Sequence, residues 1–379
     1  GAETTTPPTT TEPVELSSPC VPGADDLPMS SALETGPTSS AYYQTVSAFE
    51  YADMERTHIH PADFYVGDAD DACVVSSREL EGEHLSSYNI VTRDRGEAFL
   101  YGTDPEPYVV KFDLETGEVV WTTELPTIED NFGWVGLVVT HGNGDVYAVH
   151  SRTLVRLDPA SGEILARIDL PPPSGSLASD TVYNGFTVAP NGLIVAKSYG
   201  RPAGCVENGT AALLECVDDA NTHPPSVLAT LDPITHEVLS TVELPEVATG
   251  RPAVAEFDGD IYAVHSRTLV RIDPASGEIL ARADLPPVSG TLASDTVYNG
   301  FTVAPNGLIV AKSYGRPAGC LENGTSAITQ CVDDANPQPP SAVVTLDPLT
   351  LEVLSTVELP EVATGRPAVA EFDGHVHVC

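Results

Sequence analysis

The stretch "YAVHSRTLVRIDPASGEIL" spans residues 262–280. With one change, Leu157 in place of Ile272, it also spans 147–165. The match extends in both copies: residues 147–259 align with 262–374 at an offset of 115, with sixteen differences over 113 positions. This is a tandem duplication. A unit that cannot bury its own faces is stabilised by stacking on its neighbours, so the period is read before any local structure.

A finer repeat lies inside the unit. Residues 112–126 ("FDLETGEVVWTTELP"), 157–171 ("LDPASGEILARIDLP"), 231–245 ("LDPITHEVLSTVELP"), 272–286 ("IDPASGEILARADLP") and 346–360 ("LDPLTLEVLSTVELP") are five versions of one element. Each has an apolar run, a turn built on Asp, and a second run rich in Val, Ile, Leu and Thr, which reads as a β-hairpin. Asp113, Asp158 and Asp273 can accept hydrogen bonds from nearby backbone amides, and Gly117, Gly162 and Gly277 can take positive φ without steric cost. His236 and Leu351 stand where the glycine should be. A leucine at positive φ is strained, so these two turns are expected to differ in type.

A strand pair precedes each hairpin. "GFTVAPNGLIVAKSYG" (185–200 and 300–315) turns at Pro-Asn-Gly, and "GRPAVAEFDGDIYAVH" (250–265) turns at Asp258-Gly259. The recurring unit is therefore four antiparallel strands. Hairpin starts are spaced 45, 74, 41 and 74 residues apart. The short steps fit a four-stranded propeller blade, and the long ones carry an insertion. Five complete units result, the first starting near Ser87. A sixth begins at 365–379 and stops after two strands, and "FYVGD" (64–68) and "ACVVSSREL" (72–80) are candidates to complete it. The expectation is an all-β propeller of four-stranded antiparallel blades, six in number, the last closed by N-terminal strands. Residues 1–40, rich in Thr, Pro and Ser, read as a tail or linker, and 41–379 as the propeller.

"VKFDLETGEVVW" (110–121) resembles the repeat of the PQQ-like, quinoprotein-type β-propellers, which runs apolar–Asp–x–x–Thr–Gly–x–x–x–Trp. The resemblance covers residues 88–379 and implies the blade. It does not carry the redox chemistry. Only Trp121 keeps the tryptophan, the later copies having Ala166, Ser240, Ala281 and Ser355, and quinone-using members are generally longer. No organic cofactor is expected. Calcium is the one candidate ion: "VDDAN" offers Asp218, Asp219 and Asn221, and again Asp333, Asp334 and Asn336, with more carboxylates in "DADD" (68–71). None matches the EF-hand loop, so a solvated acidic turn is the plainer reading of these stretches. "THIH" (57–60) and "HVHVC" (375–379) could together hold a metal, but read more plainly as exposed strand residues.

Composition sets the class of partner. The net charge is −38, with only three lysines, Lys111, Lys197 and Lys312. A cationic face for nucleic acid is therefore missing, and an anionic membrane surface would repel the chain. No run of apolar residues is long enough for a membrane-spanning helix. Neither is there a signal-peptide pattern, and Gly1 reads as the start of a processed chain. Seven cysteines are present. Cys205 and Cys216 are eleven apart, as are Cys320 and Cys331, within two copies of one insertion, which points to local disulfides. Each insertion carries an N-glycosylation acceptor, at Asn208 and Asn323. Together these features place the protein outside the cell, secreted or at the surface. Cys73 and Cys379 are expected to bond across the seam of the sixth blade. Cys20 is then left over, which suggests that the N-terminal segment docks on a neighbouring copy in a head-to-tail assembly.

The loops entering the innermost strands supply the candidate site. "SDTVYNG" (179–185 and 294–300) and "TGRP" (249–252 and 364–367) place Asp180, Tyr183, Asn184, Arg251, Asp295, Tyr298, Asn299 and Arg366 around one channel mouth. Polar loop residues of this kind also cap strands and bond loop backbone. His150 and His265, in the repeated "HSR", have no third partner in sequence and read as structural. The function expected is a secreted, non-catalytic propeller for assembly or binding, whose partners are copies of itself or an extracellular ligand. The alternative is a lactonase-like hydrolytic propeller with a metal at the channel mouth.

Overall fold

A computed structural model describes most of residues 35–49 and 84–377. Left out are 1–34, 50–83, 128–135, 206–221, 321–331, 333–336, 370–375, 378–379 and the single positions 40, 46, 95, 105, 115, 249, 256, 305 and 364. Among the described residues there are five four-stranded antiparallel sheets and one two-stranded sheet. The first holds β1 (His84–Thr92), β2 (Glu97–Asp104), β3 (Tyr108–Asp113) and β4 (Val119–Glu124). The second holds β5 (Leu137–Thr140), β6 (Val146–His150), β7 (Thr153–Leu157) and β8 (Ile164–Asp169). The third holds β9 (Thr181–Val188), β10 (Ile194–Gly200), β11 (Val227–Leu231) and β12 (Val238–Glu243). The fourth holds β13 (Ala253–Val254), β14 (Ile261–His265), β15 (Thr268–Ile272) and β16 (Ile279–Asp284). The fifth holds β17 (Thr296–Val303), β18 (Ile309–Gly315), β19 (Ala342–Leu346) and β20 (Val353–Glu358). The pair is β21 (Ala368–Val369) with β22 (Val376–His377).

Strands follow chain order within every sheet. First strands meet from sheet to sheet: β1 lies against β5, β5 against β9, β9 against β13 and β13 against β17. Sheets arranged this way radiate from a common axis, which is the β-propeller expected from the sequence. Burial grades outward accordingly. In the middle strands, β6 and β14 are buried at every residue, while the outermost β8 and β12 alternate between exposed and half-buried. The alternation is the two-residue period of a strand with one face on the next blade. Core side chains such as Tyr147, Val195, Ile261 and Val270 fill the space between blades.

The hairpin turns hold one surprise. The amide at the fifth position donates to the Asp carbonyl in all five copies: Gly117 to Asp113, Gly162 to Asp158, His236 to Asp232, Gly277 to Asp273 and Leu351 to Asp347. His236 (φ 59°) and Leu351 (φ 57°) take the same left-handed conformation as the glycines. The expectation of a different turn type is thus overturned. The reason lies in what each turn faces. A Cβ on Gly162 would sit 2.6 Å from Thr123 Oγ1 and 2.7 Å from the Trp121 ring, and one on Gly277 would sit 2.8 Å from Val242 Cγ2. The turns carrying His236 and Leu351 face the preceding blade at Tyr147 and Tyr262, whose hydroxyls donate to Pro233 O and Pro348 O. There the side chain is accepted: His236 is 6% exposed and Leu351 is 1% exposed. Burial of the side chain offsets the backbone strain. Blades two to five therefore alternate in kind, and the duplicated unit contains one of each.

The N-terminal segment is tied to the first strands. Gly36 and Gln44 exchange backbone hydrogen bonds, and Thr38 N donates to Gly142 O. Ala41, Tyr42, Ala48 and Phe49 are buried in the main core. Ser47 O accepts from Thr92 N, Ala48 O accepts from Thr140 N, and Tyr42 OH accepts from Val188 N. Those three are the last residues of β1, β5 and β9, so the segment lies across the C-terminal ends of the first strands. Gly36 and Thr38, short of the expected boundary at 41, already take part in these backbone hydrogen bonds.

Candidate functional site

The opposite end, where the first strands begin, carries the insertion loops. Gly200, the last residue of β10, pairs with Thr181, the first of β9, so the insertion after β10 leaves at this end. Cys205 and Cys320 are each disulfide-bonded and 4% exposed. Cys216, Cys331, Asn208, Asn323, Asp218, Asp219, Asp333, Asp334, Cys20, Cys73 and Cys379 lie outside the described residues. Among the described residues no group of three or more His, Cys, Asp or Glu side chains could hold a metal. No helix among them is long and apolar enough to cross a membrane.

Four of the eight candidate ligand residues are committed to structure. Asp180 and Asp295 are fully buried. Asp180 Oδ2 accepts from Gly204 N at 2.8 Å, and its Oδ1 lies 3.3 Å from Arg201 Nη2. Asp295 Oδ2 accepts from Gly319 N at 2.8 Å in the second copy. Each aspartate thereby anchors the first turn of an insertion. Such a buried pair fixes geometry more than it adds stability. Tyr183 OH donates to Pro171 O at 2.6 Å and Tyr298 OH to Pro286 O at 2.9 Å. Burial raises both phenols above their ordinary pKa.

The other four converge toward the axis. Register along β9–β10 passes from Lys197↔Gly185 to Ser198↔Tyr183, so Asn184 is an extra residue, a β-bulge on the innermost strand. Asn299 is the same bulge in β17, between Lys312↔Gly300 and Ser313↔Tyr298. Bulges re-aim side chains and recur beside functional sites. The Oδ1 atoms of Asn184 and Asn299 are buried and have no hydrogen-bond partner among the described residues. Next to each bulge, glycine lets an arginine stem lie flat on the strand. A Cβ on Gly185 would be 2.8 Å from Arg251 Cγ, and one on Gly300 would be 3.2 Å from Arg366 Cγ. Arg251 is 8% exposed. Burial, and then repulsion from Arg366, bring its guanidinium down to about 9. Two cations from separate blades thus share one poorly solvated region.

The loops that carry these arginines are braced by residues the sequence reading passed over. Lys197 Nζ donates to Ala248 O at 2.9 Å, and Ala248 N donates to Ser226 Oγ at 2.8 Å. Lys312 and Ser341 hold Ala363 in the same way. Lys197 and Lys312 are fully buried. Their signal was available: each sits in "IVAKSYG", a lysine within an apolar strand of a chain that has only three. Arg201, Arg316, Lys197, Lys312, Arg251 and Arg366 lie toward this end, as do Arg152 and Arg267 in the β6–β7 and β14–β15 turns. His150 and His265 are buried at this same end, at the β6–β7 and β14–β15 turns. His150 Nδ1 is 2.5 Å from Tyr101 OH, and His265 Nδ1 is 3.5 Å from Glu246 Oε2.

No protein-family model matches the chain. No curated protein matches it either. Similar solved structures do exist. A Kuenenia stuttgartiensis hydrazine synthase chain is 12% identical over 83% of this chain and 77% of its own, with a TM-score of 0.47. The Neurospora crassa Pan2 WD40 domain is 11% identical over 74% of this chain and 68% of its own, at 0.44. The quinohemoprotein alcohol dehydrogenase of Comamonas testosteroni is 13% identical over 74% of this chain and 62% of its own, at 0.39.

Proposed function

We propose that this protein is an exported, non-catalytic β-propeller that binds an anionic ligand at the insertion-loop end of its axis. The observation that carries the reading is the convergence of Arg251 and Arg366, one from each copy of the duplicated unit, beside the bulged Asn184 and Asn299. Buried guanidinium groups favour planar oxyanions such as carboxylates, and the asparagine amides add directional contacts. A hydrolytic reading draws less support, because Asp180 and Asp295, the acids among the eight candidate residues, already hold loop backbone. The disulfide-bonded Cys205 and Cys320 support an oxidising location. PQQ-like ancestry for the blades rests on the Asp-x-x-Thr-Gly turn at 113–117 and brings no quinone with it.

Thermal unfolding with and without millimolar acetate, citrate and glucuronate tests the reading. At least one carboxylate should raise the Tm of the native protein in a saturable way, as selective binding to the folded state requires. An Arg251→Gln, Arg366→Gln double variant should lose that shift while still unfolding cooperatively. An equal shift in the double variant places the ligand elsewhere.

A further inference from the structure

Two asparagines among the described residues behave unlike the others. Asn143, Asn191 and Asn306 each use Oδ1 to accept from the backbone amide two residues on, at Asp145, Leu193 and Leu308. That is the ordinary role of an asparagine in a tight turn. Asn184 and Asn299 sit instead at the bulges of β9 and β17. Each is half-buried as a residue, yet its Oδ1 is shielded and meets no hydrogen-bond donor among the described residues. A shielded carbonyl oxygen without a donor carries the full cost of its lost hydration. Such an atom calls for an explanation, an unfilled ligand site being one. The same atom is left open in both copies of the duplicated unit.

The backbone on either side of each bulge is pinned. Tyr183, just before it, donates its backbone N–H to Ser151 O at 2.6 Å and its hydroxyl to Pro171 O at 2.6 Å. Gly185, just after it, lies under the stem of Arg251. The second copy repeats the arrangement through Tyr298 N to Ser266 O at 2.7 Å, Tyr298 OH to Pro286 O at 2.9 Å, and Arg366 over Gly300. Both serines take positive φ, 55° and 46°, a conformation uncommon for residues with a side chain. Strain of this kind persists where the surrounding structure over-determines a placement. Lys197 and Lys312, paired across the sheet with Gly185 and Gly300, direct their ammonium groups to Ala248 O and Ala363 O. The asparagines are thus held in place beside the arginine stems, each with an acceptor facing the site.

Building on the anion site proposed above, we infer that its ligand is a hydroxy acid, whose carboxylate engages the arginines and whose hydroxyl groups donate to Asn184 Oδ1 and Asn299 Oδ1. An ionised carboxylate by itself offers only acceptors. Seated beside the arginines, it excludes water from the bulges and leaves both amide oxygens without a donor. A hydroxyl supplies that donor and keeps its own lone pairs for the guanidinium groups. An ammonium donor is disfavoured, because Arg251 and Arg366 already repel one another across this region and a third cation adds to the repulsion. A site built to bond a hydroxyl rejects the analogue that lacks it far more strongly than an apolar pocket rejects a missing methylene.

The test compares succinate, malate and tartrate on the full native chain. These are four-carbon dicarboxylates of equal charge at neutral pH, with no, one and two hydroxyls, so the attraction to the arginines is held constant. Dissociation constants are read by isothermal titration calorimetry. Malate should bind about tenfold more tightly than succinate, and tartrate at least as tightly as malate. Aspartate, which has an ammonium where malate has its hydroxyl, should bind more weakly than malate. An Asn184→Leu, Asn299→Leu double variant that still unfolds cooperatively should bring malate and tartrate to the succinate level, since the amide oxygens are gone.

Equal affinity for the three acids, or succinate the tightest, overturns the hydroxy-acid assignment. If the Arg251→Gln, Arg366→Gln variant nonetheless abolishes that binding, the anion site itself stands. Aspartate tighter than malate would make the ligand an amino acid and overturn the assignment from the other side. An unchanged ranking in the leucine variant would place the hydroxyl contact away from the bulges and overturn the role given to the asparagines. No binding by any of the three overturns the assignment, and no response to acetate, citrate and glucuronate as well removes the anion site beneath it. The acid series needs no substitution, so it decides the matter even where the leucine variant does not fold.

Discussion

His150 shows what one residue can carry. It is buried against Tyr101, and burial brings its pKa down from 6.5 to about 4. The folded state therefore holds a neutral ring. The unfolded chain binds a proton more readily below about pH 6.5, so stability is fully present above that value and is lost as pH falls toward 4. A shift of this size corresponds to roughly 3 kcal/mol at full loss. His141, His223, His236 and His265 are also lowered by burial and add to the same slope. His150→Gln should thus flatten the fall in denaturation free energy between pH 6.5 and 4, measured by urea titration at each pH. An unchanged slope would show that the ring titrates normally in the fold. The sequence placed "HSR" at a strand end, and it lies at a hairpin turn. Sequence alone could not show that His150 meets Tyr101 from the preceding blade, because that contact spans 49 positions. Asp180 was legible as a polar loop residue and illegible as an anchor, since its partners Arg201 and Gly204 follow a whole strand pair later.

At the scale of elements, the hairpins were readable because their turn chemistry is local. An Asp and a positive-φ residue four positions on suffice to write the turn. The choice between glycine and a bulky residue there was not readable, because it belongs to the neighbouring blade. Two comparisons check this. Gly162 and Gly259 both have positive φ, 75° and 77°, but a Cβ at Gly259 meets nothing within 4 Å. Gly259→Ala should cost about 1 kcal/mol for backbone conformation alone. Gly162→Ala should cost at least about 2 kcal/mol more as the Trp121 and Thr123 side chains are displaced. Equal costs in equilibrium denaturation would mean that the interblade contact is loose. At Leu351 the order inverts an ordinary rule. Leu351→Ala keeps the strain and loses the packing, at about 2–4 kcal/mol. Leu351→Gly loses the same packing but relieves the strain, so it should be the more stable variant by about 1 kcal/mol.

Over the whole molecule, charge and chain ends decide what the repeat does not. Fifty-five acidic side chains face seventeen basic ones, yet all three lysines are buried. Lysine is kept for interior contacts, Lys111 on Pro159 O among them, while Arg167 and Arg282 stand exposed. The repeat exposed blade order to inspection. It said nothing of residues 35–49, which have no counterpart in either copy and follow a Thr- and Pro-rich stretch whose composition suggests a tail. Their role rests on long-range burial. Tyr42 stacks on Phe49 at 5.4 Å, Phe49 meets Phe186 edge-on at 6.4 Å, and Tyr42 OH bonds to Thr187 Oγ1 at 2.7 Å. The segment ties blades one, two and three together where their first strands end. Deleting residues 1–34 leaves every one of these contacts in place. Deleting residues 1–49 removes two buried aromatic rings from the main core, each costing about 3–5 kcal/mol by the scale of large-to-small core substitutions. The longer deletion should therefore lower Tm by on the order of 10 °C, or leave no cooperative transition at all. Differential scanning calorimetry of the two truncations against the full chain separates the cases. Equal Tm in both would mean that the strand ends are sealed without residues 35–49.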